Sequence, residues 1–529
     1  MPNLILFNGK IHAHPTASAI AIRDGKIFAV GDDAEIRTLA HSRTEQINLN
    51  GKLILPGFTD AHFHFFDWAL GRLDVQVAGV SSLMELQQRV AARAEKTPAG
   101  QWIKGSGWNE SEWTPPEMPT RTDLDVVSPN HPVILWRADH HAAVENSRAL
   151  AIAGITADFP DPPDGVIERD LHGEPTGVLK ELAINLVSDH IPPADDDTAL
   201  DALRSGIAEL HRLGITGLHD QRMMSGSRGA KAWRAYQTLE RQGVLNLRVT
   251  SNIHYSQLPE AIALGLKSGF GSDRLRFGFV KMFSDGSMGA HTAWMLARYE
   301  DTKDGYGLAA MPMEKIAAVT REANAHGWAI SVHAIGDRAN REVLDILEEV
   351  TAAAPAPSSI PHRIEHAQLL HPDDLPRFAK LNITASMQPV HLLDDMVKME
   401  RVWGPRARCA FAFKCLLKSG ARLAFGSDAP VANPNPWLGI HAAVNRSKPK
   451  ATDGGYYPEE QISVAQAVHA YTQANADAVG LSAVQGSISP GKWADLVVVS
   501  QNIFAVDPLN IADTTAVMTI FNGEIVFSA

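Results

Sequence analysis

The sequence has little cysteine, no long apolar run and a deficit of basic charge, and each shortage removes a class of protein. Only two cysteines, Cys409 and Cys415, occur in 529 residues. They lie six apart in a stretch that reads helical, a spacing that does not bring their side chains together. Neither a disulfide framework nor a thiolate metal site is expected. No run approaches the roughly 20 apolar residues of a membrane-spanning helix. The apolar run near the N-terminus is too short, and its front too weakly charged, for a secretory leader. The expected compartment is the cytoplasm, with no membrane partner. Acidic residues outnumber Lys and Arg by 60 to 48, for a formal net charge of −12. That balance argues against nucleic acid, whose partners carry a basic face. A small neutral or weakly polar molecule is the expected ligand.

Low-complexity sequence is also scarce. With 45% apolar and 20% charged residues the composition is that of an ordinary globular protein, and the length suggests one very large unit or two to three packed ones. Histidine, by contrast, is abundant at 22.

Both ends read as short strands. Near the N-terminus apolar runs are separated by Asn8-Gly9, Asp24-Gly25 and Asn50-Gly51, and near the C-terminus by Asn522-Gly523, all read as hairpin signals. One small β-sandwich built from residues 1–55 and 485–529 is expected. The middle alternates short apolar runs with amphipathic stretches, the pattern of βα units. Strands are expected at Ile54–His62, Ile215–His219, Leu247–His254, Leu275–Phe283, Ile330–His333, Arg363–His366, Ile383–Met387 and Leu423–Gly426. Eight such strands make an α/β fold of the (β/α)8 TIM-barrel type over residues 56–67 and 201–484. Residues 68–200, rich in Trp and Pro, then form a large insertion after the first barrel strand. Placed at the C-terminal end of a strand, it reads as a lid or substrate-binding subdomain.

Chemistry gathers at the expected strand ends. His62 and His64 are two apart, so on a strand both imidazoles face one side and can share an ion; Asp60 just before them could steady the pair. Lys281, His333, His366 and Asp428 close other strands. A lone strand-end histidine is commonly a core residue and a lone aspartate a helix cap, but barrel geometry would bring all six to one rim. Four neutral imidazoles and a carboxylate suit zinc, with manganese or another divalent ion as alternatives. An ammonium cannot ligate a cation, so Lys281 is expected as N6-carboxylysine, an anionic bridge between two zinc ions. Two such ions bring four positive charges, and Asp428, the carbamate and a hydroxide remove three. The remainder can balance an oxyanion. A metal-bound water has its pKa lowered from 15.7 to about 7, and Asp428 is the expected general base and acid.

Several stretches together resemble the amidohydrolase superfamily, and within it the YtcJ-like metal-dependent hydrolases that include N-substituted formamide deformylases. They are Leu55-Pro-Gly-Phe-Thr-Asp-Ala-His-Phe-His64, Asn146-Ser-Arg-Ala-Leu150, Gly173-Glu-Pro-Thr-Gly-Val-Leu179, Asp285-Gly-Ser-Met-Gly289, His333-Ala-Ile-Gly-Asp337, Ile364-Glu-His-Ala-Gln368, Ser386-Met-Gln-Pro389, Gly426-Ser-Asp-Ala-Pro430 and Gly491-Lys-Trp-Ala-Asp-Leu496. The resemblance implies a barrel with a small β-sandwich, the same six metal positions, and hydrolysis of a carbon–nitrogen bond other than a peptide bond in a small amide-type substrate. A homodimer is compatible with it. One departure is visible: the family's Asp-Gly-His-Ala reads Asp139-His140-His141-Ala142. Trp108, Trp113, His141, Asp285, Trp294, Gln388 and His391 are the expected substrate-facing residues, the two tryptophans suiting an apolar or aromatic N-substituent. His219 is a further candidate. Two readings compete. One is a heterocycle deaminase of the same superfamily, in which a glutamate commonly stands where this chain has Gly336. The other is a non-catalytic metal-binding regulatory protein, whose signature would be lost ligands.

Overall fold

The computed structural model describes every residue except 139–141, 163–164, 222–226, 354–357 and 359. The chain forms two compact units, one of Met1–Phe65 with Arg204–Ala529, the other of Phe66–Leu203. Among the described residues no helix is long and apolar enough to cross a membrane.

In the first unit eight parallel strands pair in chain order: β1 (Phe58–Phe63), β2 (Ile215–Asp220), β3 (Arg248–His254), β4 (Leu275–Phe283), β5 (Ile330–Ala334), β6 (Arg363–His366), β7 (Thr384–Met387) and β8 (Arg422–Phe425). Their residues are buried nearly throughout, as in parallel sheets covered on both faces. Just beyond β8 the chain returns to β1. Asp428 N donates to His62 O at 2.7 Å and His64 N to Ala429 O at 2.9 Å, and Phe63 bridges Ala429 in parallel register. These bonds close the barrel and bring Asp428 beside the two histidines of β1.

The first expected barrel strand is in fact two strands. Leu53–Pro56 pairs with Leu496–Val499 in a terminal sheet, and β1 starts only at Phe58. The break falls at Pro56-Gly57, where Pro56 has no N–H to give a ladder and Gly57 N turns to Asp495 O at 2.8 Å. A Cβ at Gly57 would run into the Thr216 side chain, so only glycine lets β1 and β2 approach there.

The two termini build two sheets. One runs Lys26–Gly31, Ala19–Arg23, Leu4–Phe7, Glu45–Asn48; the other runs Lys10–Ile11, Leu53–Pro56, Leu496–Val499, Ala516–Phe521, Glu524–Ser528. Leu4, Leu6, Ile20, Ile22, Ile54, Leu496, Val498 and Ile520 pack in a common core between them. Asp24-Gly25 and Asn522-Gly523 are two-residue hairpin turns with positive φ at both positions, 51° and 74°, and 50° and 80°, as type I′ turns require. Asn8-Gly9 and Asn50-Gly51 are not hairpins. Each carries the chain from one sheet to the other, using left-handed φ for a corner rather than a reversal.

The second unit has its own mixed sheet, ordered Gly165–Arg169, Pro175–Glu181, Ala142–Glu145, Val133–Arg137, Ile103–Trp108, Val75–Gln76. Alternation along the central strand sends Val133 and Leu135 into one apolar cluster and Ile134 into another, the period-two pattern of a sheet packed on both faces.

Candidate metal centre

Six side chains from the ends of four barrel strands, β1, β4, β5 and β6, and the loop after β8 line one cavity of about 410 Å³: His62, His64, Lys281, His333, His366 and Asp428. Ligand atoms of His62, His366 and Asp428 all lie within 4.8 Å of one another. Asp428 Oδ1 is 2.9 Å from His64 Nε2 and 3.2 Å from His62 Nε2. The His333 and His366 rings are 4.5 Å apart, and those of His62 and His366 4.9 Å. The local backbone explains the convergence. His62 and His64 share a side because they are two apart on an extended chain. Arg363 and Glu365 are also two apart and share the barrel interior, so regular alternation would turn His366 away. Its φ of 70° breaks that alternation, and Asp428 likewise sits at φ 63°. Left-handed backbone at non-glycine residues is costly and concentrates at functional sites.

Three of the four histidines are oriented by a partner on one ring nitrogen. His62 Nδ1 donates to Glu365 Oε2 at 2.7 Å and His366 Nδ1 to Gln388 Oε1 at 2.8 Å, so both rings turn Nε2 toward the cavity. His333 Nε2 donates to Gly286 O at 3.0 Å, leaving Nδ1 free. Burial pushes the His333 imidazole down to about 4, helped by nearby Lys281. Burial, then His333 and His62, hold His366 well below the ordinary range. For Asp428, burial would raise the carboxyl, but His62 and His64 outweigh it and hold it well below its usual value. Burial would lower the His62 imidazole, but Asp428 and Glu365 outweigh it and hold it above its ordinary value, so a cation bound there displaces a proton; neutral imidazoles and an ionised carboxylate are the forms that ligate metal.

Lys281 is fully buried and its Nζ has no hydrogen-bond partner. Burial lowers its amine to about 8, against the pull of Glu365 and Asp428. An orphaned cation costs heavily in such a place. The donor set suits a divalent cation once that amine is neutral or carboxylated; the four histidines, Asp428 and modified Lys281 are the residues that could hold it.

The other candidates divide. His391 lines the cavity, its Nε2 3.9 Å from Asp428 Oδ2. Gln388 is buried behind His366 and holds that ring rather than facing the cavity. Asp285 accepts from the backbone N–H groups of Trp294, Ile335 and Gly336 and lies 3.6 Å from His333 Nε2. It is not part of the cavity lining; its work is to tie the loop after β4 to the loop after β5. Trp294 is half-buried under the Arg338 guanidinium, 4.4 Å away, and it too is absent from the lining. Trp108 and Trp113 are buried in the core of the second unit, where the Trp108 indole donates to Leu135 O at 2.8 Å. They are packing residues there, because their apolar area is spent on that sheet. His141 lies outside the described residues. His219 is buried and accepts from Arg363 at 3.0 Å. Asp60 steadies the site through backbone: its Oδ1 accepts from His62 N and Ser427 N, both at 3.0 Å.

Sequence reasoning missed Arg363 and Glu365, although two charged residues alternating along a buried strand were a signal. It also missed Phe283, Met288, Ile335 and Val431, the apolar part of the lining, and the polar Gln368, Asp394 and Asp395. A single apolar letter at a strand end or in a loop carries no signal.

The profile of the amidohydrolase family matches residues 45–527. The chain belongs to that family. As such it is a hydrolase, and its relatives span nearly its full length. It is 37% identical to Protein LONG AFTER FAR-RED 3 of Arabidopsis thaliana over 512 residues, 94% of this chain and 87% of that one. To the putative amidohydrolase YtcJ of Bacillus subtilis it is 32% identical over 96% of both. To the N-substituted formamide deformylase of Arthrobacter pascens it is 27% identical over 95% and 94%. Among solved structures, an uncharacterized metal-dependent hydrolase from Pyrococcus horikoshii superposes with a TM-score of 0.79 at 29% identity, covering 96% of this chain and 99% of that one.

Proposed function

We propose that this amidohydrolase cleaves an amide-type carbon–nitrogen bond of a small molecule at a two-ion centre held by His62, His64, Lys281 as N6-carboxylysine, His333, His366 and Asp428. The observation that carries the reading is Lys281: a buried amine without a hydrogen-bond partner, beside four imidazoles and Asp428, where carboxylation turns a liability into a ligand. Attack of the neutral amine on carbon dioxide, with loss of a proton, gives the carbamate, and an amine lowered to about 8 is neutral in part at ordinary pH.

Bound divalent ions supply Lewis acidity and a water of lowered pKa. The residues do the rest. Asp428, ionised and 2.9 Å from His64, takes the proton of the attacking water and returns it to the leaving nitrogen. His391 stands on the Asp428 Oδ2 side, placed to donate to a developing oxyanion. Phe283, Met288, Ile335 and Val431 offer an apolar wall for the substituent. The formamide deformylase of Arthrobacter pascens is the relative whose name fits this chemistry. The deaminase reading loses support at Gly336, where a Cβ would collide with the Trp294 backbone, so no glutamate fits.

The test is hydrolysis of a panel of N-substituted formamides, acylated amines, cyclic amides, esters and aminopurines by protein loaded with zinc or manganese. Amide turnover that disappears on chelation and in Asp428→Asn is expected. Ammonia release from aminopurines with no amide turnover would overturn the reading.

A further inference from the structure

We propose that Glu365, with Arg363 behind it, is the positioning residue of the candidate centre: it fixes the His62 ring in the Nδ1–H tautomer and so presents Nε2 to the metal. The inference rests on the metal-centre reading above, but it concerns a residue outside the six and can be decided without metal.

Glu365 is fully buried in the barrel interior. Its Oε2 accepts from His62 Nδ1 at 2.7 Å and from Arg363 Nη2 at 3.0 Å. Its Oε1 accepts from Ser331 Oγ at 2.6 Å and lies 2.6 Å from Arg363 Nε. Arg363, also fully buried, reaches further: Nη1 donates to His219 Nδ1 at 3.0 Å, and Nη2 to Ala61 O at 2.7 Å and to the Ser386 hydroxyl. One carboxylate and one guanidinium thus link β1, β2, β5, β6 and β7.

A barrel interior needs no such pair to close. Layers of Val, Ile and Leu do that, and taking two charges out of water carries a desolvation penalty that their attraction must first offset. What an apolar pair cannot do is hold a tautomer. A carboxylate can only accept from His62 Nδ1, so a proton is kept there and Nε2 is the nitrogen turned to the site, 3.2 Å from Asp428 Oδ1. A carboxylate on the far nitrogen also makes the imidazole a stronger ligand. Glu365→Gln keeps the shape but brings a donor into a site where His62, Ser331 and Arg363 all donate.

Two measurements test this. In the metal-free wild type, nitrogen NMR of 15N-histidine-labelled protein, assigned with His62→Gln, is expected to show a proton on His62 Nδ1; an Nδ1 without a proton there overturns the proposal. In folded Glu365→Gln, zinc affinity from chelator competition is expected to fall on the order of 10–100-fold, with a mixture of His62 tautomers. Unchanged affinity and an unchanged tautomer would make Glu365 a structural residue only. If the wild type binds no zinc, the proposed function fails, while the tautomer measurement still decides the role of Glu365.

Discussion

The residues at the strand ends differ in how much the sequence reveals of them. His62, His64, Lys281, His333, His366 and Asp428 could be grouped because each closes an apolar run, and a barrel carries such ends to one rim. The left-handed backbone at His366 and Asp428 was illegible, since neither is glycine, and so was the division of Gln388 and Asp285 into supports rather than contacts. Lys281→Ala is expected to abolish amide hydrolysis and halve bound metal because it removes the proposed bridging ligand, and to leave a folded protein because the amine it removes is buried without a hydrogen-bond partner. Turnover and metal content of the folded variant check it. A second histidine makes a separate prediction. His362 is buried, accepts from Ile330 N at 3.1 Å, and is pushed down to about 4 by burial. Its native value is below its unfolded one, so between about 4 and 6.5 the unfolded chain binds the extra proton and stability rises with pH. Acidifying from pH 6.5 toward 4 should therefore lower the urea midpoint of the metal-free protein, and His362→Gln should flatten that dependence. An equal slope in the variant would rule His362 out as the cause.

At the scale of elements, all eight barrel strands were legible from buried apolar runs alternating with amphipathic stretches. The joints between elements were not. Pro56-Gly57 divides what reads as one strand, and the turn signals at Asn8-Gly9 and Asn50-Gly51 change sheets instead of reversing within one, because φ preference fixes a bend without fixing the partner strand. The joint at Gly57 makes Gly57→Ala destabilising by about 1–3 kcal/mol through overpacking, and adding Thr216→Ala should recover part of that loss; denaturant titrations of the single and double variants measure it. Nearby, Arg248 of β3 is ion-paired with Asp495 and lies 3.7 Å from the centre of the Trp493 ring, and both charged side chains are buried. Asp495→Ala strands that guanidinium and should cost about 3–5 kcal/mol, whereas Arg234→Ala on the surface of the helix Ser227–Arg241 should cost little.

For the whole molecule, composition was enough to place the chain among ordinary globular proteins. The division into Phe66–Leu203 and the remainder was approached through the long interval between His64 and Ile215. The interior of that insertion was not foreseen. Trp108 and Trp113 read as pocket residues because tryptophans in loops invite that reading, whereas they sit in the core of a sheet whose weak strands gave no clear period. A folded centre that binds metal stabilises the whole chain by mass action, about 2.7 kcal/mol for one ion at a free concentration a hundredfold above its Kd. The metal-loaded protein should accordingly melt above the chelator-treated one. The most direct test of the account is the metal content of the purified wild-type protein set against Lys281→Ala after loading in the presence of bicarbonate. Two divalent ions per chain in the wild type and one or fewer in the variant are expected; a wild type with no bound ion, or equal content in both, would contradict it.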